Sequence, residues 1–282
     1  MERAERRLRL LFLTIPIVFM VLLLILPALQ GLGLSFYSNG HVSMANYAAL
    51  AGDPMFWRAV ANNLIVPAGS LVVELVVGLA LALFLTSRPR PGVMIEVAAI
   101  FPFAIPEIVL LALTRFILVP RGYLNGALVA AGAAPLGWIR PGSGLALLTV
   151  VVVDAWHVTP IVMLILMAGL STIPREVYDA AQLDGAGAFA TFWHITLPLL
   201  APAIVGALML RGVDALRIFA TPLVLTGAEG VPVLSTYAYQ MWSDAQQPPI
   251  AMAASIVLAL LITLLAAAGL MLARHQSGAG IR

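Results

Sequence analysis

"DAAQLDGAGAFATFWHITLPLLAPAI", residues Asp179–Ile204, changes character along its length. Its first two thirds hold two acids, two glycines, three aromatic rings and a histidine; Leu-Pro-Leu-Leu-Ala-Pro and an apolar run follow. A polar, aromatic-rich segment that feeds straight into lipid-like sequence reads as a loop held at a membrane surface. Which surface, and to what end, depends on the rest of the chain.

The chain of 282 residues is 62% hydrophobic and 10% charged, with a mean hydropathy of +1.02. A soluble globule averages about 45–50% apolar and about 25% charged residues. This chain has too little polar surface to cover itself, so its solvent is largely membrane lipid. Cysteine is absent, which removes disulfides, thiolate metal sites and thiol nucleophiles. All fifteen basic residues are arginine. The net charge of +2, with no basic run alternating with aromatics, gives no nucleic-acid footprint.

A hydrocarbon core about 30 Å thick needs roughly 20 apolar helical residues. Six runs qualify: Leu11–Leu34, Leu64–Leu85, Val93–Leu118, Leu145–Leu170, Leu199–Leu225 and Ile250–Ala273. The fold class expected is therefore all-α, a polytopic membrane protein with six transmembrane helices. The first run follows four arginines but is too long for a signal-peptide core and lacks a cleavage site, so it reads as a retained helix. With the N-terminus in the cytoplasm, the inner side holds Arg3, Arg6, Arg7, Arg9, Arg88, Arg90, Arg175, Arg274 and Arg282. The outer side holds Arg58, Arg121 and Arg140. The positive-inside rule thus puts both termini, and the loop Ser171–Pro198, in the cytoplasm. Residues 1–56 form an N-terminal segment, first helix and outer loop; 57–274 form a core of five helices containing the loop 171–198; 275–282 form a tail.

Within the loop, Pro174 suits a helix start, and Glu176 and Asp179 sit where the positive helix end favours anions. Val177, Ala180, Ala181 and Asp184 fall at i, i+3, i+4 and i+7 and make one small, nearly flat face. Gly185 and Gly187 break the helix; a short amphipathic turn follows with Phe189, Phe192 and Trp193 on one side, and Pro198 opens the next span. A helix lying on lipid gains by burying large side chains. A face of alanine methyls suits close approach to a protein cleft.

At these residues the chain resembles the signature loop of bacterial ABC importer permeases, roughly E-A-A-x-x-D-G-A, an aromatic, then I-x-L-P. Asp179-Ala180-Ala181, Asp184-Gly185-Ala186, Phe192, Ile195, Leu197 and Pro198 match position by position, with Asp179 standing where Glu is usual. "NYAALAGDPMFWRAVANNL" (Asn46–Leu64), "GYLNGAL" (Gly122–Leu128), "AWHVTPIVMLILMAGLSTIPREVYDAAQLDGA" (Ala155–Ala186) and "LVLTGAEG" are similar to the carbohydrate branch, the maltose/trehalose-type permeases. That branch commonly has Asp after the preceding Phe219, where this chain has Ala220. The resemblance implies the type I importer permease fold and a loop that docks on a cytoplasmic ATPase subunit. The coupling residues it implies are Glu176, Tyr178, Asp179, Ala180, Ala181, Asp184, Gly185, Ala186, Phe189, Phe192, Leu197 and Pro198. It implies a second permease subunit, two ATPase subunits that bind ATP and Mg²⁺, an extracytoplasmic substrate-binding protein and membrane lipid as partners, with no cofactor in this chain.

The chain has no catalytic signature of its own. A P-loop needs lysine, which is absent; no H-E-x-x-H occurs, and His41, His157, His194 and His275 are scattered. The polar minority inside the spans is more telling, since ionisable groups in a bilayer line internal paths or hold helices together. Glu107 and Arg115 lie in the third span, Asp154 and His157 in the fourth, and Arg211, Asp214 and Arg217 in the fifth at i, i+3, i+6. Glu74 and Glu96 read as acids near span ends with no assigned role. Counting residues along the helices puts Asp154–His157 and Arg211 at similar depth. Asp154, Trp156, His157, Arg211 and Asp214 are the expected substrate-path residues, and there is no metal site. The near balance of acids and arginines suits a neutral sugar, a disaccharide such as trehalose or maltose, better than a glycerol phosphate or another small polar solute. An ion-coupled secondary transporter and a membrane scaffold are the competing readings. The first would need no docking loop and often shows inverted repeats, which this chain lacks; the second leaves the polar spans unexplained.

Overall fold

A computed structural model describes residues 12–87 and 92–279. Arg3, Arg6, Arg7, Arg9, Arg88, Arg90 and Arg282, which weigh in the orientation argument, lie outside these residues, as does the expected start of the first span at Leu11. Helix α1 (Phe12–Ser35) contains a π turn at Val21–Ile25 and leads into a two-residue hairpin, β1 (Tyr37–Ser38) against β2 (His41–Val42). Then come α2 (Ala45–Gly52), α3 (Pro54–Thr86), α4 (Val93–Ala104), α5 (Glu107–Leu118) and α6 (Tyr123–Ala130). The remainder is α7 (Gly144–Ser171), α8 (Arg175–Leu183), α9 (Ala188–Ala215), α10 (Ala220–Thr226), α11 (Leu234–Ser243) and α12 (Pro248–Ala279).

The long helices start where their caps dictate. Asp53 accepts the amide of Met55 at 2.8 Å, with Pro54 as the first residue of α3, and Ser143 accepts the amide of Ala146 at 3.1 Å at the head of α7. Each side chain satisfies an amide that the helix itself leaves unpaired. Asp53 also accepts the Tyr237 hydroxyl at 2.6 Å, tying α11 to the same corner. Burial, and then that bond, push the Tyr237 hydroxyl up, so it stays a donor.

Two expected spans are corrected. The run Val93–Leu118 is not one rod: α4 and α5 meet at a 95° bend around Ile105-Pro106, and among the described residues five helices are long and apolar enough to cross a membrane, or six spans when this broken pair is taken as one. Proline disfavours helical backbone in the residue before it, and Ile105 is extended at ψ 132. The fifth span starts earlier and ends sooner than Leu199–Leu225. It begins at Ala188, passes through a π turn at Phe192–Thr196 and stops at Ala215, so Pro198 lies inside it. The chain from Leu216 to Val233 then breaks into irregular backbone and the short α10. Such backbone is tolerated at membrane depth only where protein satisfies it. Buried Asn63 does so, donating to the Leu216 carbonyl at 3.0 Å and accepting from the Leu234 amide at 3.1 Å; Asn62 donates to the Pro232 carbonyl at 2.8 Å.

Helices α3 and α7 run parallel and form the most extensive helix contact in the chain. A Cβ at Gly78 would stand 3.2 Å from the Met163 amide nitrogen, so the absence of a side chain there sets how closely the two helices approach. Apolar clusters flank this contact at both ends. One joins Val66, Leu111, Val150 and Leu225; the other joins Ala82, Met163, Leu166 and Leu200.

Between them lies an ionic centre. Arg211 of α9 grips Glu74 of α3 with one edge of its guanidinium, Nε to Oε2 at 2.9 Å and Nη2 to Oε1 at 2.8 Å, and neither side chain exceeds 4% exposure. Its Nη1 pairs with Asp214, and Nη2 lies 3.8 Å from Asp154 Oδ2. The Thr221 hydroxyl of α10 approaches Asp154 Oδ1 at 3.4 Å. Glu74, given no role from the sequence, is thus a central element of the core, not a surface acid near a span end. Removing one partner of a buried pair leaves an uncompensated charge at a cost of about 3–5 kcal/mol. Arg211→Met, which strands both Glu74 and Asp154, is expected to destabilise the purified, detergent-solubilised chain by about that much. Glu74→Gln should cost clearly less, because Arg211 keeps Asp214 and Asp154; equal losses in an unfolding titration would rule out the hub role of Arg211.

Candidate functional site

Two places gather the singled-out residues: the loop around α8 at one end of the bundle, and the polar centre between α4–α5, α7 and α9. Pro174 caps α8, and Glu176 lies in its first turn. The helix ends at Leu183, and Gly185 follows in the left-handed region at φ 76. The amide of Ala186 donates to the Ala181 carbonyl at 2.9 Å and that of Gly185 to the Gln182 carbonyl at 3.1 Å. This pair of bonds is the Schellman closure, which requires a residue that accepts positive φ. A Cβ at Gly185 would meet nothing within 4 Å, so backbone conformation and not space demands the glycine.

The α8 surface differs from the flat face expected of it. Ala181 is only 6% exposed and points into the chain, while Ala180 and Asp184 are exposed and Val177 is half-buried. The outward surface is carried by Glu176, Asp179 and Ala180, with Leu183 at 89% exposure and Phe189 at 77%. Leu183 belongs to no expected set; its mark in the sequence is a large apolar residue in the last turn of a polar helix. Tyr178 faces inward instead, its hydroxyl 3.3 Å from that of buried Thr196 on α9. Phe189, Phe192 and Trp193 form a ring cluster with centroids 6.1 Å and 5.5 Å from Trp193. It sits on the first turns of α9 itself, so the separate amphipathic turn expected before the span is part of that helix. Leu197 is half-buried and Pro198 exposed on the same helix.

At the polar centre, Asp154 and Arg211 do lie at one depth, 3.8 Å apart. Both are buried; Arg211 is engaged by Glu74 and Asp214, while Asp154 Oδ2 faces Arg211 without a hydrogen bond. Asp214 and Arg217 are different: their side chains are 60% and 62% exposed and pair with each other at 3.4 Å. Trp156 is 47% exposed. His157 stands half-buried with its ring 6.0 Å from that of Phe103 on α4. Glu107 begins α5 at the 95° bend and is exposed. Arg115 belongs elsewhere, bonded at 2.9 Å to the Val224 carbonyl toward the end opposite α8. Among the described residues no cluster of three His, Asp or Glu side chains is arranged to hold a metal ion.

Residues 74–277 match the family described as "Binding-protein-dependent transport system inner membrane component". The chain is 33% identical over 223 residues to the trehalose/maltose transport system permease protein of Thermococcus litoralis, covering 76% of this chain and 74% of that one. It is 34% identical over 233 residues to the trehalose transport system permease protein of Mycobacterium tuberculosis, covering 79% and 74%. Its fold superposes on a chain from the crystal structure of a bacterial ABC transporter involved in the import of the acidic polysaccharide alginate. The TM-score is 0.85 at 22% identity, covering 97% of this chain and 98% of that one. With the type I permease fold, the apolar spans and the family match in agreement, the chain belongs to the binding-protein-dependent transport system inner membrane components, as a multi-pass permease subunit and not an ATPase.

Proposed function

We propose that this chain is one of two permease subunits of an ATP-driven importer for a neutral oligosaccharide, a disaccharide of the trehalose or maltose kind. The other parts are a second permease, two cytoplasmic ATPase subunits that bind ATP and Mg²⁺, and an extracytoplasmic binding protein. The observation that carries the reading is the α8 loop: α8, closed by a positive-φ glycine, presents exposed Glu176, Asp179, Ala180 and Leu183 at one end of the bundle, with exposed Phe189 of α9 following it in the chain. Two isolated apolar side chains on an otherwise polar, acidic surface suit a protein cleft, whereas a helix lying on lipid presents a continuous apolar face and a basic polar one. The trehalose and maltose permeases named above support the cargo. Movement of α8 with the ATPases would swing α9 and open the path alternately to either side. Exposed Asp214, Arg217 and Trp156 and half-buried His157 are the groups suited to meet the sugar, offering donors, acceptors and an aromatic face. Arg211 acts on that path from behind by fixing Asp214, and Asp154 by facing Arg211.

The orientation that follows has α8 in the cytoplasm. The chain contains no cysteine, so single cysteines at exposed Ala49 and Gln182 should label from opposite sides of the membrane, Ala49 from outside; labelling of both from outside in intact cells overturns the arrangement.

Coupling is tested in the assembled complex. Phe189→Ala and Leu183→Asp are expected to lower ATP-dependent uptake about tenfold or more, the scale of losing a buried interface anchor. Gly185→Val should do the same by forcing a β-branched residue to positive φ, a strain of about 1–3 kcal/mol. Ala181→Trp, in contrast, should disturb the chain's own folding, because Ala181 faces inward. Wild-type uptake and stimulated ATPase in the first three variants would remove the coupling role. Uptake that stops when the ion gradient is collapsed, with ATP present, would favour the secondary-transporter reading instead.

Cargo contact is tested by Trp156→Ala and Arg217→Ala, which should reduce disaccharide uptake about tenfold, as loss of a stacking or charge-assisted contact does. Binding-protein-stimulated ATPase should hold. Parallel loss of both activities would assign these residues to the scaffold, and transport of phosphorylated compounds in preference to di- and trisaccharides would overturn the sugar assignment.

A further inference from the structure

Opposite α8, a cleft of about 540 Å³ opens between α5, α6, α10 and the loop that precedes α7. It is lined by two arginines, Arg115 and Arg140, and by no carboxylate. Its walls are fixed. Asn125 of α6, 2% exposed, donates to the carbonyls of Pro120 and Leu136 at 3.2 and 3.0 Å. The same side chain accepts from the Leu136 amide at 2.9 Å and the Trp138 indole at 3.1 Å, so one residue pins the whole loop to α6. Gly142 is bonded to the Gly230 carbonyl at 3.0 Å, which joins the loop to the segment after α10. Arg115 Nη1 donates to the Val224 carbonyl at 2.9 Å, which holds the guanidinium at the cleft with its remaining N–H groups unspent on protein acceptors.

The charge of this site is not neutralised from within. Among the described residues, Arg58, Arg115, Arg121 and Arg140 form no ion pair; those present all involve Arg211 or Arg217. The acids nearest in the chain at this end are engaged elsewhere: Asp53 with Tyr237, Glu229 with Gln240 and Asp244 with Ser243. A rigid cleft presenting two planar, always-charged forks matches carboxylates, which guanidinium groups recognise through paired hydrogen bonds.

We infer that this cleft receives a carboxylate-bearing loop of the extracytoplasmic binding protein and latches it to the permease. The inference rests on the importer reading above, and charge complementarity selects the occupant. A neutral sugar can accept hydrogen bonds from two unpaired arginines but leaves their charge unbalanced, whereas a carboxylate does both. The loop wall, built from Pro135, Gly137 and Pro141, is irregular backbone unsuited to hydrocarbon. Charged pairs at an interface rim act mainly on the rate of encounter and on its salt dependence. Docking should therefore weaken as ionic strength rises.

The test is binding-protein-stimulated ATPase of the assembled importer in phosphatidylcholine nanodiscs, titrated with its purified cognate extracytoplasmic binding protein. The importer carrying Arg115→Glu and Arg140→Glu should need about tenfold or more binding protein for half-stimulation, with the difference shrinking at high salt. Arg140→Glu alone lies on an exposed loop position that folding does not depend on, and it should produce a smaller shift in the same direction. Unchanged half-stimulation in both variants, against a stimulated wild type, overturns the latch. So does a shift seen only when phosphatidylglycerol is added, which would assign the cleft to an anionic lipid headgroup. Absence of any stimulation in the wild type would overturn the importer reading itself, and the latch with it.

Discussion

The fork of Arg211 on Glu74 is the contact on which the rest of the bundle is arranged. A charge placed among apolar helices is tolerated only when it is paired and hydrogen-bonded. Here one edge of the guanidinium, Nε and Nη2, holds Glu74, and a second partner, Asp214, takes the remaining nitrogen. Because Glu74 is on α3 and Arg211 on α9, the pair fixes how far along one another these helices sit. A slip by one turn of about 5.4 Å would leave two charges unmatched in lipid. Asp154 and Thr221 extend the constraint to α7 and α10. Four elements therefore share one register, which apolar packing alone would leave adjustable.

That register positions the breaks. Once α9 is anchored at Arg211 it stops four residues later, and the irregular stretch after it falls where Asn63 of α3 meets both of its ends. The bend between α4 and α5 opens beside the same centre, with Glu107 exposed at its rim. Discontinuous helices in a membrane need either a polar neighbour or a cavity to face. Here the buried asparagine serves the first need and the exposed Asp214–Arg217 pair marks the second.

The sequence carried the membrane class, four of the five long spans and the α8 loop, because each rests on local signals: long apolar runs, a proline cap, a glycine after an amphipathic turn. It also placed Asp154 level with Arg211, since helical rise is regular enough to count. What it did not carry is pairing. Glu74 looks like any acid in an apolar run until Arg211, 137 residues away, is seen to grip it. Nor does a helical wheel say which side of α8 is outside. Ala180 and Ala181 are adjacent and chemically alike, yet one is exposed and the other buried. The bend at Ile105-Pro106 was visible only as a proline, and Pro67, Pro160 and Pro202 sit inside helices that continue through them. The difference is context: neighbouring helices re-satisfy backbone freed by those prolines, whereas at Ile105 the chain takes extended geometry.

Helix α9 connects the two functional regions without a joint. From Phe189, in the ring cluster beside α8, to Arg211 it spans about 33 Å at 1.5 Å per residue. The π turn at Phe192–Thr196 is its one irregularity, and it lies where Thr196 meets Tyr178 of α8. A displacement of α8 is therefore delivered to a rod whose far end is held by a buried ion pair. Apolar side chains slide past one another in small steps, but a two-pronged guanidinium–carboxylate bond is either made or broken. An element of that kind has two discrete arrangements, and this is the physical requirement for coupling between distant sites. Under the importer reading, the same pair that fixes the register would give the path two defined states in place of a continuum, with Asp214 and Arg217 repositioned when the grip on Glu74 is exchanged for a different partner. Asp154, whose Oδ2 lacks a hydrogen bond and lies 3.8 Å from Arg211 Nη2, is the acceptor placed to take that role.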